Sequence, residues 1–463
     1  MSVADRGLAK TNTQAWTGLL VAAAAGLLWM VRPDPAVPIL AAALLLASIS
    51  AVKRPFLVCL VFIVLSFFRI HEAYPILLPL HLPFMIAVIT MGAVVWHVVI
   101  ARSVTPFWSS ELRWFVAFFL VTSFGVFFAF NKPIASTYWT DVFAKIGLMT
   151  LAFAWLPRLA NDFVLAAKSF VVSGMLIAAV AIYNKIHSID LVELTRVTIG
   201  RSINSLLGDP NDLSLVLLFP LSFCIAFAIH RCGRINRFLG IAGAALILCA
   251  IVFTQSRGGL MGVLAVFAMT LVRTTKSKVK VAFLAVLAAV FLYSAMGISG
   301  RISGGGGEEG LDDSASHRIE AWHTAVRMAV SRPLTGVGLA NFRDSFSSYG
   351  TLPSGNVIVA HSTWFGVLGE TGFAGLFAFL GMVGFTLRNS FRSYGALKRI
   401  RATVGSLEEV ELIRAFGFAL VSGLVAFCVA GSFLTQGFIW PIYIFVGLST
   451  ALQRFVLEHV RSR

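Results

Sequence analysis

Stretches of apolar residues long enough to cross a lipid bilayer recur along the whole of this sequence. About 20 such residues suffice for one helical crossing. Only 13% of the residues are charged, whereas a soluble domain carries about 25%, so too few charges are available to cover a water-exposed surface. Inside a bilayer the backbone must satisfy its own hydrogen bonds, which a helix does within one segment. The sequence therefore predicts an all-α fold, a polytopic bundle of transmembrane helices.

Hydropathy predicts twelve to fourteen spans in this bundle. The lower number applies if two short runs, 55–69 and 258–272, enter the membrane without crossing it. The predicted spans are 15–31, 36–52, 55–69, 82–101, 112–130, 138–156, 163–184, 213–230, 238–254, 258–272, 279–297, 361–387, 410–431 and 433–455.

Lysine and arginine residues predict how the bundle is oriented. They concentrate in four groups beside predicted spans, and strict alternation of the spans places all four groups on one side. Because cytoplasmic loops are enriched in these residues, this side is predicted to be the cytoplasm, and both termini join it. The groups are Lys53 and Arg54; Arg231, Arg234 and Arg237; Arg273, Lys276, Lys278 and Lys280; and Arg388, Arg392, Lys398, Arg399 and Arg401.

The same alternation divides the chain into three regions. Residues 1–297 hold transmembrane helices with an outer loop near 185–212, and residues 361–463 hold the C-terminal transmembrane helices. Between them, residues 298–360 form a large loop on the outer side, which we take to be the periplasm. Arginine on an outer face opposes the usual charge bias, so each arginine in these loops calls for a separate reason.

Composition excludes two further classes of function. The net charge of +16 would suggest nucleic-acid binding in a soluble protein, but here the excess lies in short loops between spans, as topology requires, so no nucleic-acid partner is predicted. The five cysteines lie in or beside apolar runs and form no CxxC pair. We therefore expect them to be small buried hydrophobic residues rather than a disulfide framework or a redox site.

The large outer loop is predicted to contain an amphipathic helix. Residues 304–313 are glycine-rich and acidic and predict a flexible stretch. Ser314 or Ser316 can then cap a helix over residues 316–330, which ends before Pro333. We expect this helix to lie on the membrane surface or to pack on the bundle. Its predicted apolar face consists of Ile319, Trp322, Val326 and Val330, which recur at spacings of three and four.

Arg257 lies in a tight outer turn between two predicted spans, in the run Thr254-Gln255-Ser256-Arg257-Gly258-Gly259. The turn leaves almost no loop, so the guanidinium lies at membrane depth, where it is costly unless it is paired or faces a wet cavity. Its planar fork suits a phosphate or diphosphate, and the glycines and the following helix start would favour an approaching anion. The alternative is an arginine that snorkels to the interface.

His361 lies where the large loop re-enters the membrane, and its side chain suits proton transfer near neutral pH. The alternative is an interfacial histidine at a helix start. Glu370, nine residues on, is a costly intramembrane carboxylate that should have a partner. It could orient His361 or an arginine, or pair inside the bundle.

Arg318 lies on the amphipathic helix with His317, Glu320 and His323 nearby, a cluster that a solvated helix face would also explain.

The run Gly208-Asp209-Pro210-Asn211-Asp212 precedes another span. Proline next to Asn and Asp is typical of a helix start, and capping alone would explain the run. It could also shape the mouth of a substrate site, with Arg201 nearby.

The sequence contains no HExxH or DxD pattern, and the glycines at 304–307 lack the lysine of a nucleotide-binding loop. No metal and no cofactor are therefore predicted, and the substrate itself must supply the energy of any reaction.

Taken together, four of these features resemble the O-antigen ligase/polymerase superfamily of bacterial membrane glycosyltransferases. They occur in that family's order and spacing over about 254–376, and the run 209–212 is also similar. One departure is Ser362, where many members have asparagine. The four features are Ser256-Arg257-Gly258-Gly259, Arg318 on an outer helix, the run from Leu334 to Phe342, and His361-Ser362 followed by Leu368 to Leu376.

The resemblance implies an enzyme that moves an undecaprenyl-diphosphate-linked O-antigen glycan to an acceptor hydroxyl of lipid A–core. The reaction would be inverting and independent of metal and ATP, and it would occur on the periplasmic side of the bacterial inner membrane. Arg257 and Arg318 would hold the diphosphate and His361 would act as the base. Residues that would support them are Arg201, Asp209, Asn211, Ser256 and Glu370.

Three other functions remain open at this point. An O-antigen polymerase and a protein O-glycosylation ligase would share the donor and differ in the acceptor. A transporter of lipid-linked glycans would have a similar number of spans. It should carry its essential charges near the bilayer midplane, whereas the arginines and the histidine here cluster at the outer edge. That position favours transfer at the outer face over transport.

Overall fold

The computed structural model describes residues 36–73, 81–203, 205–275, 309–351, 359–399 and 406–460. The predicted spans 15–31 and 279–297 and the glycine run at 304–307 lie outside these residues. Three of the helices continue at their C-terminal ends as short π or 3₁₀ turns, at Trp96–Ile100, Val126–Phe128 and Trp139–Phe143.

The described residues form sixteen α-helices and one small hairpin. The helices are α1 Ala36–Lys53, α2 Pro55–Ser66, α3 Ile70–Ala73, α4 Leu82–Val95, α5 Ser110–Gly125, α6 Lys132–Tyr138, α7 Ala144–Trp155, α8 Ala160–Ile186, α9 Pro210–Ile229, α10 Arg234–Thr254, α11 Arg257–Thr274, α12 Glu309–Ser331, α13 Phe342–Tyr349, α14 Thr363–Leu397, α15 Leu407–Gly431 and α16 Trp440–Val460. The hairpin pairs β1 Leu191–Val192 with β2 Arg196–Val197 in antiparallel register.

The predicted class, an all-α polytopic membrane bundle, is confirmed. Within the described ranges, nine helices are long and apolar enough to cross a membrane. The short run predicted at 55–69 forms α2, a helix of 12 residues, whereas the run predicted at 258–272 forms the 18-residue α11. The total of twelve to fourteen spans stays a prediction.

The centre of the bundle is formed by α9, which packs against α8, α10, α11 and α15. Aromatic rings fill the space between these helices: Phe223 lies 5.1 Å from Phe170 and 5.5 Å from Phe416, both edge to face. Edge-to-face pairs are favourable beyond the area that they bury. The result is a rigid support whose N-terminal end carries Asp209 and Asn211.

Residues in or beside three of the four predicted basic groups meet at one end of the bundle. Arg273 at the end of α11 donates to Nδ1 of His230 (3.0 Å) at the end of α9 and lies over the rings of Tyr394 and Phe418. The side chain of Asn236, beside the arginines at 231–237, donates to Glu408 in the first turn of α15 (2.8 Å). We call this end the basic face. The other end of the bundle, the outer face, carries the hairpin and α12.

Two expectations about α12 are corrected. The helix begins at Glu309, so the acidic stretch 309–313 is helical rather than flexible, and Ser314 and Ser316 lie inside the helix rather than at its cap. Acidic residues are favourable in the first turn of a helix because they complement its dipole. The sequence places Glu309 and Asp312 there.

The apolar face of α12 also differs from the prediction. Ile319, Val326 and Val330 are exposed, while the buried positions are occupied by small or flexible residues. The reason is close packing on α14: a Cβ at Gly369 would lie 3.4 Å from the Cα of Ala325. Alanines permit this approach and branched residues do not, so α12 packs on the bundle. Its buried residues are Ala321, Thr324, Ala325, Met328 and Ala329.

Candidate functional site

Arg257 is the first residue of α11, immediately after a sharp turn at the outer face. Gln255 adopts a left-handed backbone conformation (φ +51°) that ends α10. Ser256 is fully buried, and its hydroxyl accepts a hydrogen bond from the N–H of Gly259 (3.2 Å), which caps the new helix. The Arg257 side chain is exposed. It has no hydrogen bond or ion pair with any residue that the structure describes.

Gly259 in this turn allows α11 and α9 to pack closely. A Cβ at Gly259 would lie 2.5 Å from the hydroxyl of Ser214 on α9, so only glycine lets the two helices come this close. A Cβ at Gly258 is less confined, since its nearest neighbour, Phe433, would lie at 3.5 Å. Gly259 therefore helps to fix where α11 starts and, with it, the position of Arg257, and the approach of an anion to the two glycines stays a prediction.

Arg196, on β2, is a site residue that the sequence did not identify. Its Nε donates to the carbonyl of Thr254 (3.1 Å), and its Nη2 donates to Oδ1 of Asn211 (3.0 Å). It thereby ties the hairpin to the last residue of α10 and the first turn of α9. Burial lowers the pKa of Arg196. The negative charges of Glu193 and Asp209 raise this pKa, and the positive charge of Arg257 lowers it further. The sequence did carry one indication of such a role: Arg196 lies in an outer loop, where arginine is disfavoured by the usual distribution of positive charge in membrane proteins.

Asp209 caps α9, as the sequence predicted. Its Oδ1 accepts hydrogen bonds from the N–H groups of Asn211 (2.7 Å) and Asp212 (3.3 Å). The carboxylate of Asp212 accepts a hydrogen bond from the side chain of Gln436, at the turn between α15 and α16. Arg201 is exposed, and its backbone packs against Gly208, where a Cβ would lie 2.9 Å from the Cα of Arg201. Arg201 therefore lies beside the cap, and its side chain forms no hydrogen bond or ion pair with the residues of the cap that the structure describes.

His361 is held in place by α12. The indole N–H of Trp322 donates to the carbonyl of Ala360 (3.2 Å), and the ring stacks on Phe365 with centroids 5.1 Å apart and planes 8° from parallel. This arrangement clamps the residues on both sides of His361, whose backbone adopts φ +45°. Arg318 lies one turn before Trp322 on the same helix. Both Arg318 and His361 are half-buried.

Charged or titratable residues from four separate segments, Asp209, Arg257, Arg318 and His361, affect one another electrostatically. Burial and the charge of Arg318 lower the pKa of His361 below its ordinary value of 6.5, and Asp209 partly opposes them. Burial and the charge of Arg257 lower the pKa of Arg318. His361 is therefore a neutral base near pH 7, and Arg318 beside it is in turn repelled by Arg257. Neither arginine has a carboxylate partner among the residues described.

Comparison with protein families identifies the region that contains Arg257, Arg318 and His361. Residues 242–380 match the family model described as O-antigen ligase. This stretch is an O-antigen ligase-family domain. The resemblance predicted from the sequence is thus confirmed, and the coarser functional class is a membrane glycosyltransferase of the ligase/polymerase type. A search of curated proteins found no match to the chain.

Glu370 has a structural partner in the O-antigen ligase domain and does not orient His361 or an arginine. Its Oε2 accepts from the N–H of Ala340 (2.8 Å), and its Oε1 accepts from the N–H of Phe342 (3.3 Å). The side chain is buried. The carboxylate therefore satisfies two backbone donors at the start of α13, which corresponds to the expectation of pairing inside the bundle.

Two further motifs of the O-antigen ligase domain, the runs 334–342 and 368–376, lie against each other. Val337 N–H donates to Gly369 (2.9 Å) and Phe373 N–H donates to Pro333 (2.8 Å). Gly372 interrupts α14 with φ +68°, where a Cβ would lie 2.5 Å from the carbonyl oxygen of Pro333. The runs 334–342 and 368–376 thus support each other through backbone hydrogen bonds and close packing.

Glu320, another polar residue of α12, has a structural role. Glu320 accepts hydrogen bonds from Arg327 and from the N–H of Thr351, which connects α12 to the end of α13. His323 is exposed. Among the described residues no group of three or more His, Cys, Asp and Glu side chains could hold a metal ion. The independence of metal stays a prediction.

Proposed function

We propose that this protein transfers a glycan from undecaprenyl diphosphate to a hydroxyl of lipid A–core at the periplasmic face of the bacterial inner membrane. The observation that carries the proposal is that Arg318 lies near both His361 and Arg257. Burial lowers the pKa of Arg318, the charge of Arg257 lowers it further, and neither arginine forms an ion pair with a carboxylate of the described residues. Like charges held together without a counter-ion favour a dianionic or more highly charged ligand, and a diphosphate meets that requirement.

The roles of the three residues follow from this placement. The guanidinium groups of Arg257 and Arg318 bind the diphosphate and stabilise the negative charge that grows on it as it leaves. Neutral His361 accepts the proton of the acceptor hydroxyl. The hydroxyl oxygen then attacks the anomeric carbon from the side opposite the diphosphate. The new C–O bond forms as the bond to the diphosphate oxygen breaks, so the sugar configuration inverts.

The supporting residues hold this arrangement. Ser256 caps α11 and so fixes Arg257, while Asn211 binds Arg196, which in turn binds the end of α10. Asp209 lies close enough to affect the pKa of His361, and its negative charge would stabilise the imidazolium that forms during transfer. Arg201 would contact the glycan or its phosphate at the mouth. Departure of undecaprenyl diphosphate supplies the energy, so the reaction requires neither ATP nor a metal.

The test is transfer from an undecaprenyl-diphosphate glycan to lipid A–core by the purified protein, without ATP and with EDTA present. His361→Ala should lower kcat by about 100- to 10,000-fold, the usual contribution of a general base. Arg257→Ala should lower kcat/KM by about 10- to 100-fold, since charge-assisted hydrogen bonds contribute about 1.5–3 kcal/mol. Matched controls are His323→Ala and Arg343→Ala, two exposed residues of the same outer face, which should retain activity.

The products decide between the proposed ligase and its alternatives. Longer lipid-linked glycan with unmodified lipid A–core would replace the ligase by a polymerase, and a glycosylated protein acceptor would replace it by a protein ligase. If the His361 and Arg257 variants transfer as well as the wild type, the assigned roles are wrong. If no acceptor is modified by any variant while glycan crosses the membrane, the protein is a transporter.

A further inference from the structure

A cavity lined by both polar and apolar side chains lies near the site but is not part of it. Its volume is about 450 Å³, and it is lined by the end of α2, the segment around α3, the start of α4, the π turn before α7 and the start of α16. Ligand pockets in proteins usually have volumes of about 300–1,000 Å³, so the space can hold a sugar ring. None of the proposed catalytic residues lines it.

Ionisable side chains line the cavity and differ in how well they are paired; of these, Glu72 is nearly buried and Asp141 is exposed. Glu72 is satisfied by Arg69 and by the hydroxyl of Ser205. By contrast, Nε of Arg69 is buried without a hydrogen-bond partner in the described part of the chain. The side chains of Asp141 and Lys145, which also line the cavity, make no hydrogen bond or ion pair with the described residues. These groups have donors and acceptors to offer to a ligand.

The balance of charge indicates what kind of ligand fits. Arg69 and Lys145 supply two positive charges, and Glu72 and Asp141 supply two negative charges, so a phosphate would meet repulsion as well as attraction. His71 and His81 also line the cavity and add groups that can donate or accept hydrogen bonds. A sugar hydroxyl both donates and accepts hydrogen bonds and matches this mixed lining. The walls also contain aromatic rings, which can pack against the C–H face of a sugar. The rings are Phe62, Phe84 and Trp440.

The cavity is connected to the proposed active site through one short turn. Ser205, which donates to Glu72 at the cavity, opens the 3₁₀ turn that ends at Gly208, and Asp209 follows it directly. We propose that this cavity is a glycan-binding subsite, which holds a sugar unit of the donor or of the acceptor while the reacting groups meet at His361. This inference rests on the proposed transferase function.

Asp141→Asn and Lys145→Gln test the subsite, because neither side chain has a described protein contact whose loss would unfold the chain. Each variant should raise the KM for one glycan substrate by about 10- to 100-fold, the effect of losing a charge-assisted hydrogen bond, with kcat and the pH dependence unchanged. The matched control is Lys132→Gln, an exposed lysine of the same outer region that does not line the cavity. Thermal melting in detergent checks that all three proteins are folded.

The two glycan sources give different results. A higher KM for lipid A–core alone assigns the subsite to the acceptor. A higher KM for the lipid-linked glycan, with unchanged inhibition by undecaprenyl diphosphate lacking sugars, assigns it to the donor. Unchanged KM values for both substrates overturn the subsite and leave the transferase intact. If the wild type transfers nothing, the proposed function fails instead; binding of free core and O-antigen oligosaccharides, compared between wild type and Asp141→Asn by saturation-transfer NMR, then decides the subsite.

Discussion

His361 lies between charges that act on its pKa in opposite directions. Burial and Arg318 lower this pKa from 6.5, and Asp209 raises it. Because the neutral imidazole is the active form of a base, kcat/KM should fall as the pH drops through the pKa of the folded enzyme. The acid limb of the pH–rate profile should therefore lie below pH 6.5.

Replacing Arg318 should move this limb. In Arg318→Gln the positive charge is gone, so the pKa of His361 rises and the loss of kcat/KM begins at higher pH than in the wild type. The measurement is kcat/KM against pH, with substrate concentrations raised to offset weaker diphosphate binding. Arg343→Gln, a change of the same kind on α13, should leave the limb where it is. An unmoved limb in Arg318→Gln would mean that the two side chains do not interact.

Asp209→Asn should move the limb in the opposite direction. Asparagine caps a helix about as well as aspartate, so α9 should start at the same residue and the protein should melt at nearly the wild-type temperature. Loss of the negative charge lowers the pKa of His361, and the acid limb moves to lower pH. A shift to higher pH would contradict the placement of Asp209 near His361.

At the scale of elements, Glu370 connects α14 to the start of α13. In the wild type each oxygen of Glu370 accepts from one backbone N–H. In Glu370→Gln one of these oxygens is replaced by an N–H₂ group, which cannot accept and faces a backbone N–H donor. A buried donor without an acceptor costs about 1–3 kcal/mol, so the variant should melt at a lower temperature in detergent. The acid limb of kcat/KM should stay in place, because Glu370 does not contact His361. A moved limb with unchanged melting would restore the orienting role that the structure argues against.

The paired glycines of the α11 turn should respond differently to alanine. A Cβ at Gly259 would lie 2.5 Å from the Ser214 hydroxyl, whereas one at Gly258 has its nearest neighbour at 3.5 Å. Gly259→Ala should therefore destabilise the protein by about 1–3 kcal/mol, the usual cost of overpacking, and should displace Arg257 and lower kcat. Gly258→Ala is the matched control and should be tolerated. Equal loss of activity in both variants, with normal melting, would indicate a substrate contact instead.

At the scale of the whole molecule, the basic face and the outer face should lie in different compartments. Arg234 and Arg343 are both exposed, one at each end of the bundle. If the basic face is cytoplasmic, a membrane-impermeant thiol reagent should label Arg343→Cys in intact spheroplasts. It should label Arg234→Cys only after the membrane is opened. Labelling of the unmodified chain gives the background, and the reverse pattern would invert the proposed topology.

The sequence alone determined the class of fold, the shared side of the basic groups and the candidates Arg257, Arg318 and His361. These are local properties: the free energy of placing an apolar run or a charge in lipid depends on the residue itself. The start of a helix at Asp209 could also be predicted from the sequence, because a capping side chain contacts residues only two or three positions away.

Only the tertiary structure decided what the remaining residues do. Arg196 binds a carbonyl 58 residues away, Trp322 binds one 38 residues away, and Glu370 binds N–H groups 28 and 30 residues away. Nothing in the local pattern distinguishes a carboxylate that will meet a histidine from one that will meet the backbone. The tight packing of Gly259 and the burial of the alanine face of α12 likewise depend on which helix lies opposite. Such partners are set by the three-dimensional packing of segments that are distant in the chain.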